Sequence, residues 1–205
     1  MFARRKPAQS EKLDFDDEAL KLFKTLNIKP GELGGDYNYL DPVWRHPTSG
    51  GILYIGNQTA AQDLSVQAAH KITHIVNCTA DMPNFHEGKA GKFYLRFDVS
   101  NHWRYLDSSD QSVVQFVTPL FQFVDTALER GHSVLVHCLA GAHRAGTTGV
   151  ACLMHLTGAQ ADEATKLAQR CRRVVCPIGM LPQFLDGLER LQAKRSQRGI
   201  GSFNS

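Results

Sequence analysis

Residues 133–149 read SVLVHCLAGAHRAGTTG, and this stretch sets the terms for the rest of the chain. Val134, Leu135 and Val136 form a short apolar run, which predicts a buried strand. A turn containing Gly141 follows, and from Ala145 onward the Ala- and Leu-rich text predicts a helix. Cys138 leaves the strand and Arg144 enters the helix, with five residues between them. A loop of that length between a strand and a helix N-terminus can turn successive backbone N–H groups toward one centre, where the helix dipole adds positive potential.

Such a cradle takes an anion. A guanidinium at its rim supplies a planar, bidentate clamp for a tetrahedral oxyanion. A thiol at its base is expected to have a lowered pKa and to act as a thiolate nucleophile. Nucleophile, cradle and clamp together describe attack on a phosphoryl group. His137, Cys138, Gly141 and Arg144 in strand–loop–helix order make a specific pattern, whereas a lone Cys near an Arg would mean little.

The stretch resembles the His-Cys-(five residues)-Arg signature of the cysteine-dependent protein tyrosine phosphatases, and its flanks resemble their dual-specificity branch. ILYIGNQTAAQD from Ile52 and ITHIVNCTADMPN from Ile72 resemble that branch's opening strand, first helix and second strand. FYLRFDVSNHW from Phe93 resembles its strand leading into the general-acid loop. The resemblance runs from about residue 51 to about residue 191. It implies an α/β fold: a central mixed sheet of about four to five strands flanked by helices, here with an extra N-terminal helix.

Composition agrees with a soluble globular chain. The 205 residues suit one domain, with 42% hydrophobic and 21% charged residues. No apolar run is long enough to span a bilayer, and the first residues, MFARRKPAQS, lack the apolar core of a secretory signal. Five cysteines at irregular spacing (Cys78, Cys138, Cys152, Cys171, Cys176) match neither a metal motif nor an even disulfide framework. A reducing compartment, cytoplasmic or nuclear, is therefore expected. The net charge of +3 is small, and basic residues gather at both ends: Arg4, Arg5 and Lys6, then Lys194, Arg195 and Arg198. Solvated ends explain them better than nucleic acid does, so neither a nucleic-acid nor a membrane partner is expected.

Working outward, three parts are predicted: an N-terminal extension over 1–50 with one amphipathic helix, a catalytic domain over 51–195 and a flexible tail over 196–205. Residues 1–13 are polar and expected to be mobile. Over 15–26, Phe15, Ala19, Leu22, Phe23 and Leu26 share one helical face, and Asp16, Asp17 and Glu18 favour the helix N-terminus. That helix is expected to pack on the catalytic domain rather than dock a partner. Residues 27–51, rich in Gly, Pro, Asp and Tyr, read as an irregular connector. Strands are predicted over 52–55, 72–78 and 93–99. Helices are predicted over 60–70, over 112–130 with a kink at Pro119, and over 145–156, 159–172 and 181–195.

The chemistry these residues imply has two steps. Cys138 attacks phosphorus in line and forms a phosphocysteine, while the amides of Leu139, Ala140, Gly141, Ala142, His143 and Arg144, with the Arg144 guanidinium, hold the equatorial oxygens. An acid protonates the departing oxygen, and water then releases phosphate. No metal and no other cofactor is called for. By the resemblance, His137 orients the loop and helps keep Cys138 ionised. The family's acid is an Asp in the loop after the preceding strand, but here Ser100-Asn101-His102-Trp103 carries no carboxylate. Asp107 is the first choice, with Asp110 as a helix cap and Asp98 as alternatives. Ala145 replaces the family's usual hydroxyl residue after the Arg, so slow breakdown of phosphocysteine is expected, unless Thr147 or Thr148 compensates.

Leu139, Ala140, Ala142 and His143 include no lysine, which points toward phosphorylated proteins rather than inositol lipids. By resemblance, the site accepts phosphotyrosine and phosphoserine/threonine. Cys78 admits two readings, a disulfide partner for Cys138 under oxidation or a small buried hydrophobe. The competing functions are a weakly active module that binds phosphorylated proteins and, resting only on the basic ends, an RNA 5′-phosphatase.

Overall fold

A computed structural model describes residues 13–107 and 109–197. The expected mobile start and flexible tail fall largely on 1–12 and 198–205, outside the described residues, as do Arg4, Arg5, Lys6 and Arg198. The core is a five-stranded sheet in the order β1-β2-β5-β3-β4. Its members are β1 (Leu40–Arg45), β2 (Ile52–Gly56), β3 (Ile72–Asn77), β4 (Phe93–Arg96) and β5 (Ser133–His137). β1 pairs antiparallel to β2, and all other pairs are parallel. The sheet is therefore mixed, as expected.

β5 is the central strand, and every one of its residues is buried. Its side chains alternate between the two faces, as a strand requires. Val134 and Val136 join the larger core with Leu53, Ile55, Val150 and Leu153, whereas Leu135 joins Tyr54, Ile75, Ala60 and Ala61 on the opposite face. Sandwiching between layers explains the uniformly apolar run. The larger core is completed by α4 (Asp110–Glu129), α5 (Arg144–Thr157), α6 (Ala161–Cys171) and α7 (Leu181–Gln197). Gly149 of α5 lies so close to β2 that an added Cβ would meet Ile55 Cδ1 at 2.3 Å.

Three stretches depart from the sequence reading. β1 lies within the stretch expected to be an irregular connector. It is an edge strand carrying Pro42, and its register shifts between Pro42 and Trp44, which is where a sheet tolerates proline. The single helix expected over 60–70 is two, α2 (Gln58–Gln62) and α3 (Leu64–Ala69). Asp63 separates them: its backbone is extended, and its carboxylate accepts from the N–H groups of Ser65 and Val66 at 2.8 and 3.2 Å. The text after β4 is a 3₁₀ helix, Val99–Arg104, rather than strand or open loop. α4, 20 residues containing Pro119, matches the helix expected over 112–130 to within two residues.

Ahead of the sheet stands α1 (Phe15–Thr25), capped by Asp14, which accepts from the N–H groups of Asp16 and Asp17. Its buried Ala19 and Phe23 pack with Tyr37, Ala140 and Ala142. Two of these contacts belong to the loop between β5 and α5. The helix expected to lie on the catalytic domain thus lies on the loop between β5 and α5.

Candidate active site

β5 ends at His137, so Cys138 emerges at the carboxyl edge of the central strand, where parallel sheets bind ligands. Cys138 is 3% exposed and Arg144 is 6% exposed. The six residues after Cys138 have their carbonyls turned outward. Leu139 O accepts from Gln58 N at 3.2 Å and Ala142 O from Cys176 N at 3.1 Å. Ala140 O accepts from the Tyr37 hydroxyl at 2.9 Å. The carbonyls of His143 and Arg144 accept from the hydroxyls of Thr147 and Thr148. None of the backbone N–H groups of residues 139–144 donates to a backbone acceptor among the described residues. Outward carbonyls and unspent N–H groups are what an anion cradle requires.

Arg172, fully buried at the end of α6, holds this shape. Its Nε donates to Gly141 O at 2.8 Å, its Nη2 to Ala140 O at 3.0 Å and its Nη1 to Asn38 O at 3.0 Å. Nη1 also pairs with the buried Asp41 carboxylate at 2.6 Å, and the guanidinium lies over the Tyr37 ring. Three faces of one planar fork are thereby used. Gly141 is required twice over. Its φ is +64°, and an added Cβ would meet Gly56 O at 2.4 Å. Sequence reasoning assigned neither Arg172 nor Asp41. They lie 131 residues apart and belong to no local pattern.

At the rim, the Arg144 Nε is buried without a hydrogen-bond partner among the described residues. Its Nη2 donates to the carboxylate of Asp16 on α1, and the Phe15 ring lies 5.7 Å from the guanidinium carbon. Burial alone would lower the Arg144 pKa. Charge on Cys138 and on Asp16 outweighs it, so the guanidinium is held above its ordinary value. It stays a cation at any pH the fold survives.

The family model "Dual specificity phosphatase, catalytic domain" matches residues 53–186, which include the whole of this loop. The chain belongs to the dual-specificity phosphatase family. It is 33% identical over 149 residues to dual specificity protein phosphatase 9 of Homo sapiens, covering 71% of this chain and 37% of that one. It is 29% identical over 147 residues to dual specificity protein phosphatase 19 of Mus musculus, covering 72% of this chain and 62% of that one. The chain thus spans only about a third of the length of the first of these relatives. Among solved structures, a mouse putative dual specificity phosphatase complexed with zinc tungstate shares the fold. Its TM-score is 0.61 at 22% identity, over 82% of this chain and 94% of that one.

Against the dual-specificity pattern, the expected supporting residues are placed as follows. His137 is fully buried, and neither ring nitrogen has a hydrogen-bond partner among the described residues. Burial, then the charges of Arg96 and Arg144, push its pKa down to about 3. It is therefore a neutral packing group. In this conformation it makes no loop-orienting hydrogen bond among the described residues. His143, by contrast, is tied across the loop: its Nδ1 donates to Cys176 O at 2.8 Å.

The three candidate acids are engaged elsewhere. Asp98 accepts from Ser100 Oγ and Asn101 Nδ2, both at 2.6 Å, at the start of the 3₁₀ helix. Asp107 is exposed and accepts from Ser109 N at 2.7 Å. Hydrogen bonds from Ser109, then Ser112, hold its carboxyl below the usual carboxylate range. Asp110 pairs with Lys194 at 2.8 Å, and the cap of α4 is Ser109, not Asp110. Thr147 and Thr148 donate to the carbonyls of His143 and Arg144, so neither hydroxyl is free to replace the one Ala145 lacks. Cys78 is buried in the main core, and that burial pushes its thiol well up, which suits a small hydrophobe. A groove of about 620 Å³ beside β4 is lined by Asp98, Tyr105 and Phe116 but by none of residues 138–144.

Proposed function

We propose that this chain is a phosphoric monoester hydrolase acting on phosphorylated proteins, at both phosphotyrosine and phosphoserine/threonine, through a phosphocysteine on Cys138. The observation that carries this reading is the loop itself: among the described residues, the six N–H groups that follow Cys138 have no backbone acceptor and the buried Arg144 Nε has no partner. A phosphoryl dianion would offer those donors acceptors and the guanidinium a counter-charge.

In the first step the Cys138 sulfur attacks phosphorus as the ester oxygen leaves. The amides of residues 139–144 and the Arg144 guanidinium take up the charge spread over the equatorial oxygens. They are held in place beforehand by Arg172 and Tyr37, so little reorganisation is needed at the moment of reaction. We assign protonation of the leaving oxygen to Asp107, which must give up its bond to Ser109 to reach it. In the second step water attacks phosphorus, the S–P bond breaks and inorganic phosphate departs. Ala145 offers the departing sulfur no hydroxyl, so this step is the slower one. The lysine-free loop supports a protein rather than an inositol-lipid substrate.

The test is hydrolysis of an aryl phosphate and of phosphotyrosine and phosphoserine peptides by the wild type, Cys138→Ser, Asp107→Asn and Asp98→Asn. Cys138→Ser is expected to abolish turnover on every substrate. Asp107→Asn is expected to lower kcat/KM by roughly 10²-fold or more on the peptides, the usual contribution of a general acid to the step it serves. Turnover that survives Cys138→Ser would overturn the hydrolase reading. Full activity of Asp107→Asn alongside a loss in Asp98→Asn would transfer the acid role to Asp98.

A further inference from the structure

α1 lies outside the residues matched by the family model, yet it makes the closest side-chain contact to the phosphate clamp. Its first turn lays the Asp16 carboxylate on Arg144 Nη2 and the Phe15 ring over the guanidinium. Its underside, Ala19 and Phe23, is buried against Ala140 and Ala142 of the cradle. Farther back, Leu13 abuts Gly179 of the turn before α7, where an added Cβ would meet Leu13 Cδ2 at 2.9 Å. Arg144 is thus paired to an internal anion while its Nε and six loop N–H groups stay unspent.

We propose that Asp16 is a built-in competitor for the phosphate clamp, so that α1 holds the site in a self-inhibited state which substrate must displace. The inference rests on the phosphatase reading of the same loop and names its regulation.

The physical asymmetry favours such a device. Arg144 cannot leave: it is buried at the start of α5. Asp16 can, because its side chain is 51% exposed and its carboxylate pairs only with Arg144 among the described residues. A carboxylate brings one charge and, as placed, contacts one guanidinium nitrogen. A phosphoryl dianion brings two charges and finds both Nε and the amide cradle as well. Substrate therefore wins, but only after displacing a resident anion, so its apparent affinity falls by the fraction of molecules with the clamp free. The apolar underside of α1 need not move. Turning the Asp16 side chain out to solvent frees the guanidinium while Phe23 stays seated.

The test uses the full chain. Asp16→Asn removes the charge at nearly constant shape, and Asp17→Asn, one residue along the same acidic turn, is the control. Binding of inorganic phosphate is measured by calorimetry in a Cys138→Ser background, and KM and kcat for an aryl phosphate are measured with Cys138 intact. Asp16→Asn is expected to tighten phosphate and lower KM by roughly three- to thirtyfold with kcat unchanged, as for removal of one competing charge-assisted contact. Asp17→Asn is expected to change neither by more than about twofold, as for an exposed charge. Phosphate binding left unchanged or weakened by Asp16→Asn would overturn the proposal and make Asp16 a residue that positions Arg144. Because binding is read without turnover, an inactive protein whose phosphate affinity still rises would sink the hydrolase reading and leave this one standing.

Discussion

At the scale of single residues, the geometry of the loop after Cys138 depends on side chains far from it in sequence. Arg172 ties two loop carbonyls back while its charge is balanced by Asp41, a buried pair of the kind whose disruption is costly. Arg172→Lys keeps the charge but not the fork. It is expected to lower kcat/KM on an aryl phosphate by roughly tenfold or more, through lost bonds to Gly141 and Ala140. Steady-state kinetics beside a thermal melt would check this, and unchanged kcat/KM would deny Arg172 its bracing role. Residues of this kind show where sequence reading stops. Cys138, Gly141 and Arg144 were legible because strand, loop and helix place them by local spacing. Arg172 reaches the loop across 31 residues and Asp41 across 131, and Asp16 meets Arg144 across 128, and nothing near them in the chain announces it. Asp16 was legible only as an acid suited to a helix N-terminus, a role that its backbone position satisfies without disclosing what its carboxylate meets.

At the scale of elements, α1 is the one whose importance the structure raised. Its apolar face was plain from the i, i+4, i+8 spacing of Phe15, Ala19 and Phe23, but a face does not name its partner. Phe23 is 2% exposed and stands edge-on to Tyr37 at 5.7 Å, and Tyr37 in turn bonds Ala140 O. Phe23→Ala is expected to cost about 3–5 kcal/mol, the usual range for a buried phenylalanine. Chemical denaturation of wild type and variant would measure it. A loss below about 1 kcal/mol would show that α1 is loosely held, since that is what a peripheral contact contributes. β1 escaped sequence reading for the opposite reason. Its six residues contain Pro42, and its surroundings are rich in glycine and turn residues. Only pairing along the edge of β2 makes it a strand, and that pairing is a tertiary fact. The α2–α3 break is local chemistry that propensity blurs: Asp63 caps the second helix by leaving the first.

At the scale of the whole molecule, burying neutral histidines couples stability to pH. Burial pushes His137 down to about 3, and burial with the charges of His132 and Arg130 pushes His74 down to about 4. The unfolded chain titrates near the ordinary value of about 6.5. Between those values the unfolded state binds more protons than the folded one, so stability rises with pH through this window. It is complete above about pH 6.5 and falls on acidification. At pH 5 each histidine is expected to withdraw about 2 kcal/mol relative to pH 7.5. Urea denaturation at the two values would show it, and His74→Phe should flatten the slope. Equal stability at both would mean that these rings are protonated in the folded state. The doubly covered sheet that buries His137 is the same feature that made the fold class readable: strands alternate with helices early in the chain, and helices dominate late.

The claim at the centre of this account is that Cys138 carries the phosphoryl group between two steps and that Ala145 slows the second. Rapid mixing with an aryl phosphate, followed by acid quench and mass spectrometry of the Cys138 peptide, tests it most directly. The expected result is a burst of aryl alcohol close to the enzyme concentration, phosphate on Cys138 in the quenched protein, and loss of the burst in Ala145→Ser as its steady rate rises. Full turnover with no phosphate on Cys138 would contradict the account.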